Sequence, residues 1–291
     1  MTFGLGGLGG FGRRPRGGGG GRGRLMIGVV IAIIAVVTYF GKEKVVNPET
    51  GESYRRAMNE DQQKALGLQA VQEMVPKMGG EADPSRDPAA ALVDEVGERL
   101  VRNSGASNTP FADNFNFYLI KDAQTINAFA LPGGQVSITR GLYDRLEDES
   151  QVAGVLGHEI GHVVAEHSAQ QMAKGQLGQM LAVAVGVGAE DNRVAMASMM
   201  ANQMLQLKYG RDDERQSDEL GLKYMVQAGY HPEGMLGVMK VLKEAGGGGR
   251  QPAFMASHPH PEERLKTIQK FLDDNKEELS RMNLTHGRKL R

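Results

Sequence analysis

The hydrophobic pattern divides the chain near residue 41. Residues 25–40, LMIGVVIAIIAVVTYF, form a run of sixteen without a charge, apolar on every side. As a helix the run would rise about 24 Å, somewhat less than a ~30 Å hydrocarbon core. Arg22 and Arg24 before it, and Tyr39 and Phe40 at its end, are interfacial residues able to make up the difference. No small-x-small cleavage pattern follows in TYFGKEKVV, so the run predicts one uncleaved transmembrane helix over 25–41. Residues 42–58 are polar and turn-rich and read as a linker.

Beyond the linker the pattern becomes amphipathic. Asn59-Glu60-Asp61 reads as a helix start, and the helix runs to about Met78, where Gly79-Gly80 breaks it. Leu92, Val93, Val96 and Leu100 recur at helical spacing, whereas Phe115, Phe117 and Leu119 alternate as a strand would. Residues 128–131 and 135–139 flank Pro132-Gly133-Gly134, as two strands joined by a turn. Helices dominate from Gly141. Residues 149–172 carry the apolar stripe Val152, Val155, Leu156, Ile160 and Val163. The apolar stretch 177–189 is too short to span a membrane and contains Gln179. With the stripe Met196, Met199, Met200, Met204 and Leu205, it makes 176–207 a helical hairpin over a cleft.

Composition narrows the function. The formal net charge is -1, which argues against a nucleic-acid partner. One local exception is residues 1–24, with twelve glycines, five arginines and no acid, a composition that predicts a disordered tail. Those arginines precede the apolar run, so the amino terminus lies in the cytoplasm and the remainder beyond the membrane. The chain has no cysteine, which excludes disulfides, thiolate metal sites and a cysteine nucleophile. Residues 59–275 are the expected globular domain, and 276–291 a polar, basic, frayed tail.

The strongest chemical signal is His158-Glu159-Ile160-Gly161-His162. Histidines four apart on a helix are offset by about 40°, so both imidazoles reach one ion. Two neutral imidazoles and a carboxylate suit zinc with one position left for water, whose pKa the metal lowers to about 7. Glu159 is the base for that water. Three glycines in the same helix, Gly154, Gly157 and Gly161, cost about 1 kcal/mol each against alanine and point to close backbone packing. His167 lies about 140° around the helix from His162 and reads as a packed or capping histidine. Glu214 opens a second helix and shares one face with Asp218, which suits a ligand and a partner for a ligand's ring N–H. Asp212, Asp213 and Glu219 compete with Glu214 on chemistry alone.

Four motifs occur in order: Asn127-Ala128-Phe129-Ala130-Leu131-Pro132-Gly133-Gly134, GHEIGHVVAEHS at 157–168, Glu214-x-x-x-Asp218 with Leu220-Gly221, and Ser257-His258-Pro259. Through them, residues 60–272 resemble the gluzincin metallopeptidase family of HtpX, BepA and the CAAX prenyl-protein endopeptidases. The single anchor is most like the BepA-like members. The resemblance implies that His158, His162 and Glu214 bind one zinc per chain, with Glu159 as base and Asp218 behind a ligand. It further implies that Gly134, Gln135, Val136, Ser137 and Ile138 line the cleft as an edge strand that pairs with substrate backbone. His258 would stabilise an oxyanion or cover the zinc, and Arg211 would orient Glu214 or the substrate. Gly210 and Ser217 depart from the family's usual serine and alanine.

The expected fold is α+β and zincin-like: mostly helical, with a small sheet whose edge strand lines the active-site cleft. The expected function is hydrolysis of unfolded or misassembled polypeptides by a zinc endopeptidase outside the cytoplasm, held by a single pass in the inner or cell membrane. An envelope chaperone or assembly factor, with low or autoinhibited proteolysis, is the alternative.

Overall fold

A computed structural model describes residues 44–56, 58–172, 209–247, 251–259 and 261–290, with positions 33, 37, 41 and 175. The Gly/Arg tail, nearly all of the apolar run at 25–40 and the hairpin expected at 176–207 lie outside these residues. Among the described residues no helix is long and apolar enough to cross a membrane.

Strands β1 (Lys44–Val46) and β2 (Ser53–Arg55) form an antiparallel hairpin. Helix α1 (Glu60–Met74) starts as the sequence predicts. The Asn59 side chain accepts from the Gln62 N–H, while the Gln62 side chain accepts from the Asn59 N–H. A 3₁₀ turn and Gly79, at φ 87°, end it. Helix α2 (Pro88–Arg102) buries Leu92, Val93, Val96 and Leu100, the residues whose spacing predicted it. Its Gly97 lies against the Phe117 ring, where any Cβ would collide.

Strands β3 (Asn116–Ile120), β4 (Ala128–Leu131) and β5 (Gln135–Thr139) form a sheet in the order β3-β5-β4. β5 is parallel to β3 and antiparallel to β4. After the short helix α3 (Arg140–Tyr143) comes the buried helix α4 (Glu149–Val164). Helices α5 (Arg211–Gln227), α6 (Glu233–Gly246), α7 (Ala253–Ser257), α8 (Pro261–Asp274) and α9 (Lys276–Arg281) complete an α+β architecture that is mostly helical.

α4 is the hub, packed on α5, α6, α2 and β4. Its glycines are the contact points. Gly154 faces the Met235 backbone, Gly157 faces Gly221, and a Cβ on Gly161 would sit 2.9 Å from the Ser217 carbonyl. Two helices therefore meet backbone to backbone, which offsets the low helix propensity of glycine. The helix ends sooner than its hydrophobic stripe implies. Ala165 and Glu166 form a turn, with Glu166 in the left-handed region at φ 55°, and a new helical stretch begins at His167. For a non-glycine residue that conformation costs about 1–2 kcal/mol. Donors around the carboxylate hold it there: the Tyr54 hydroxyl, Arg56 Nη2 at 3.0 Å and Gln63 Nε2 at 2.6 Å.

Neither flank of the domain is loose. In the hairpin read as a linker, buried Asn47 donates to the Val164 carbonyl at 2.6 Å. Residues 285–290, read as a frayed tail, lie over the start of α4. The Glu149 and Ser150 amides donate to the Arg288 and His286 carbonyls, both at 3.0 Å.

Candidate metal centre

Sequence spacing alone brings His158 and His162 together on α4, and their Nε2 atoms lie 3.1 Å apart. The first turns of α5 supply Glu214, whose Oε1 is 3.5 Å from His162 Nε2 and whose Oε2 is 3.7 Å from His158 Nε2. His258, just after α7, places Nδ1 3.2 Å from His158 Nε2 and 3.0 Å from Glu214 Oε1. One donor atom from each of the four residues lies within 4.8 Å of the others, and all four residues are buried. Asp212, Asp213 and Glu219 are absent from the cluster, and Glu214 is the carboxylate of α5 that joins it.

A shell of polar contacts fixes these donors. Asp218 Oδ1 is 2.9 Å from His158 Nδ1, so that ring can donate there and turn the Nε2 lone pair to the cluster. His162 Nδ1 meets His167 Nδ1 at 2.9 Å, and His167 Nε2 meets Gln216 Oε1 at 2.8 Å. His167 is thus a packed partner of a donor rather than a member of the cluster. Tyr209 stacks on the His162 ring with centroids 4.0 Å apart, and its hydroxyl meets Ser168 Oγ at 2.8 Å.

Sequence reasoning missed Arg264. This buried guanidinium donates to Asp218 through Nε at 2.9 Å and Nη2 at 2.7 Å, and its Nη1 lies 3.2 Å from Glu214 Oε2. The signal was present: Arg264, Ile268 and Leu272 are four apart on α8, and all three are buried. A charge on an apolar stripe requires a buried partner. Arg211, by contrast, pairs on the surface with Glu263 at 3.1 Å. The guanidinium beside Glu214 is that of Arg264, not of Arg211 as expected for one of its two roles.

The assignment of Gly134, Gln135, Val136, Ser137 and Ile138 to the cleft is also corrected. β5 is the central strand, with its backbone groups used on both sides, and residues 135–139 are all buried. The edge beside α4 belongs to β4, and no described strand pairs with its outer side. A Pro-Gly-Gly turn identifies a hairpin, but not which of its strands lies outside.

The electrostatics bear on what the cluster can hold. Burial pushes the His162 imidazole well below the usual histidine range, which keeps a lone pair available. Burial also opposes ionisation of Glu214, but His258, His162 and Arg264 outweigh it and hold the carboxyl far below its usual range. For Asp218, Arg264 and His158 outweigh burial in the same way. At His258 burial again favours the neutral ring, yet the Glu214 and Glu159 carboxylates raise its pKa. Three carboxylates thus face one guanidinium, an excess of negative charge that a protonated His258 offsets only in part. A divalent cation would balance it. Both Glu159 oxygens are buried without a hydrogen-bond partner, with His258 Nε2 3.5 Å from Oε1, and such groups are costly unless something else satisfies them. The donor set, its charge and these free oxygens fit a metal ion.

The profile of peptidase family M48 matches residues 88–272. The chain belongs to peptidase family M48. The M48 chain is 30% identical over 226 residues to the mitochondrial metalloendopeptidase OMA1 of Schizosaccharomyces pombe, an alignment covering 76% of this chain and 65% of that one. It is 29% identical over 231 residues to the beta-barrel assembly-enhancing protease of Escherichia coli, covering 75% of this chain and 45% of the other. Metalloprotease YcaL of Escherichia coli is 29% identical over 193 residues, 63% of this chain and 73% of that protein. This M48 chain therefore spans less than two thirds of the length of the first two relatives.

Proposed function

We propose that the chain is a zinc-dependent endopeptidase that cleaves unfolded or misassembled polypeptides outside the cytoplasm while tethered to a membrane. The observation that carries this reading is a pair of buried, unpartnered Glu159 oxygens beside the four-donor cluster. Carboxylates buried for structural reasons acquire donors, whereas a general base must keep its lone pairs free. In this reading His158, His162 and Glu214 hold one zinc, with Asp218 fixing the His158 tautomer and Arg264 positioning Asp218 and Glu214. When bound, the zinc supplies Lewis-acid polarisation of the scissile carbonyl and a more acidic water. Glu159 takes a proton from the water and delivers it to the leaving amine. An extended substrate pairs with the outer edge of β4 through backbone hydrogen bonds, which are indifferent to side chains and suit unfolded chains.

The tether rests on the uncharged run at 25–40, and its orientation on the five arginines before it. A relative named for β-barrel assembly supports an envelope role. One contact favours the alternative of low resting activity. His258 Nδ1 lies 3.2 Å from His158 Nε2 and 3.0 Å from Glu214 Oε1, so it would compete with water and substrate for an ion held there. His258 would then cover the zinc at rest, and an assembly factor with inducible proteolysis follows.

Casein cleavage by the full-length protein in detergent tests the chemistry. Glu159→Gln is expected to lower the rate by about 10²–10⁴-fold, the usual worth of a general base. Equal cleavage by both proteins would remove Glu159 from the mechanism. His258→Ala raises cleavage if His258 covers the zinc and lowers it if His258 stabilises the oxyanion. External protease applied to spheroplasts should degrade the domain, and protection would reverse the orientation.

A further inference from the structure

Away from the buried centre, the described residues bring metal-ligating side chains together in one other place: His231, Glu233 and His286. The geometry points to a second, surface site for a divalent late-transition-metal ion, zinc in the first instance. It fastens the carboxyl-terminal strap to the start of α6, and so steadies the strap where it lies on the helix that carries His158 and Glu159.

Two segments distant in sequence form the site, and their backbones are already joined. The Thr285 amide donates to the Gly229 carbonyl at 3.0 Å, and the His231 amide donates to the Thr285 carbonyl at 2.9 Å. Tyr230 and Thr285 thus form a parallel bridge that brings the next residues, His231 and His286, alongside each other. Their rings stack with centroids 4.7 Å apart and planes 21° apart. Glu233, two residues after His231, begins α6 and directs its carboxylate to the same spot. One donor atom from each residue lies within 4.8 Å of the others. Ligands on a tetrahedral zinc at about 2.0–2.1 Å are separated by roughly 3.3 Å. The gap is small enough for rotation of exposed side chains to close.

The hydrogen bonds around these rings favour a metal over a simple stack. Ser150 Oγ donates to Asp148 Oδ1 at 2.7 Å, so toward His286 it acts as acceptor. His286 Nδ1, 3.1 Å away, therefore carries the proton and donates to Ser150 Oγ. That fixes the tautomer with a free lone pair on Nε2, the arrangement typical of metal-ligating histidines. On the other ring, the Glu233 amide is directed at His231 Nδ1 at 3.4 Å, which makes that nitrogen an acceptor. The same nitrogen lies 3.6 Å from the Glu233 carboxylate, beyond hydrogen-bond length and close to the spacing of two ligands on one ion. The long amide contact is weak enough for an ion between Nδ1 and the carboxylate to displace it. Two imidazoles and one carboxylate select zinc, copper or nickel over calcium or magnesium.

The site's consequence follows from what His286 belongs to. The same strap accepts from the Glu149 and Ser150 amides, two donors of the first turn of α4 that have no partner within the helix. Ser150 precedes His158 by eight residues, about 12 Å along the helix. An ion at His231–Glu233–His286 therefore stabilises the strap, and through it the start of the active-site helix, without entering the buried centre.

The test is zinc titration of the full-length protein, stripped with a mild chelator and followed with a competing chromophoric chelator. Two equivalents per chain are expected, differing in affinity. His286→Ala and His231→Ala should each lose the weaker equivalent by at least tenfold in affinity and keep the tighter one, which also reports that the variant is folded. Glu233→Gln should weaken the same equivalent less. Zinc beyond the first equivalent should raise Tm in the wild type and not in His286→Ala. A single equivalent in the wild type would overturn the site, as would a second equivalent unchanged in both histidine variants. Either result leaves the buried centre to be judged by its own equivalent.

Discussion

The two ends of helix α4 are held by opposite ends of the chain and by different physics. At its carboxyl end the β1–β2 hairpin acts through buried groups. Asn47 donates to the Val164 carbonyl, and the Glu166 carboxylate is enclosed by Tyr54, Arg56 and Gln63. At its amino end the strap at 285–290 works in partial contact with solvent. Backbone carbonyls accept from Glu149 and Ser150, and exposed Arg288 pairs with Glu149 Oε2 at 2.8 Å and Glu95 at 2.7 Å. A buried charge network is hard to open, because removing one partner leaves the other desolvated and unpaired. An exposed strap opens at little cost and closes again. The helix carrying His158, Glu159 and His162 is therefore anchored firmly beyond the cluster and adjustably before it.

The largest expected effect breaks the firm end. Glu166→Leu leaves Arg56 with Glu60 alone and the Tyr54 hydroxyl and Gln63 amide without their acceptor, and should destabilise the protein by about 3–5 kcal/mol. A denaturant midpoint measures this, and a loss below about 1 kcal/mol would make the two ends equivalent. Deletion of residues 285–291 should cost less, about 1–3 kcal/mol, because each hydrogen bond contributes about 0.5–1.5 kcal/mol net. Its signature is local: hydrogen exchange should accelerate at the Glu149 and Ser150 amides and stay slow at residues 156–164. Uniform acceleration along α4 would contradict an independent strap.

The smallest effect depends on pH. Burial opposes ionisation of Glu149, but Arg288 and Tyr230 outweigh it and lower its pKa below the unfolded value of about 4.5. The stabilisation is therefore complete above about pH 4.5 and declines as the pH falls through the lower folded value. Arg288→Ala should flatten this acid-side decline by lowering the neutral-pH midpoint toward its acid value. A steeper decline would reverse the sign.

What could be read from the sequence tracks how each element is stabilised. α2 and the helix around His158 were legible because apolar periodicity reports burial directly; Glu214 and Asp218 could be placed on one helix face, but preferring Glu214 to Asp212, Asp213 and Glu219 rested on the family resemblance. The hairpin and the strap were not legible as parts of the domain. Asn47, Glu166 and the carbonyls of His286 and Arg288 act through hydrogen bonds, and polar residues in a tether look the same as polar residues in a cap. β5 was misplaced for a related reason: Gln135 and Ser137 alternate with Val136 and Ile138 as on a half-exposed strand, yet all are buried. Arg264 was legible in principle as a charge on the apolar stripe of α8, but its partners lie on another helix.

The most direct test of the account is the metal content of the buried centre in Glu159→Gln and Glu214→Ala, measured beside the wild type with folding verified by far-UV circular dichroism. Glu159→Gln should retain the tight zinc equivalent, because it removes a base and not a ligand, while Glu214→Ala should lose it by at least tenfold in affinity. Loss of zinc in Glu159→Gln, or full retention in Glu214→Ala, would contradict the assignment of base and ligand on which the account rests.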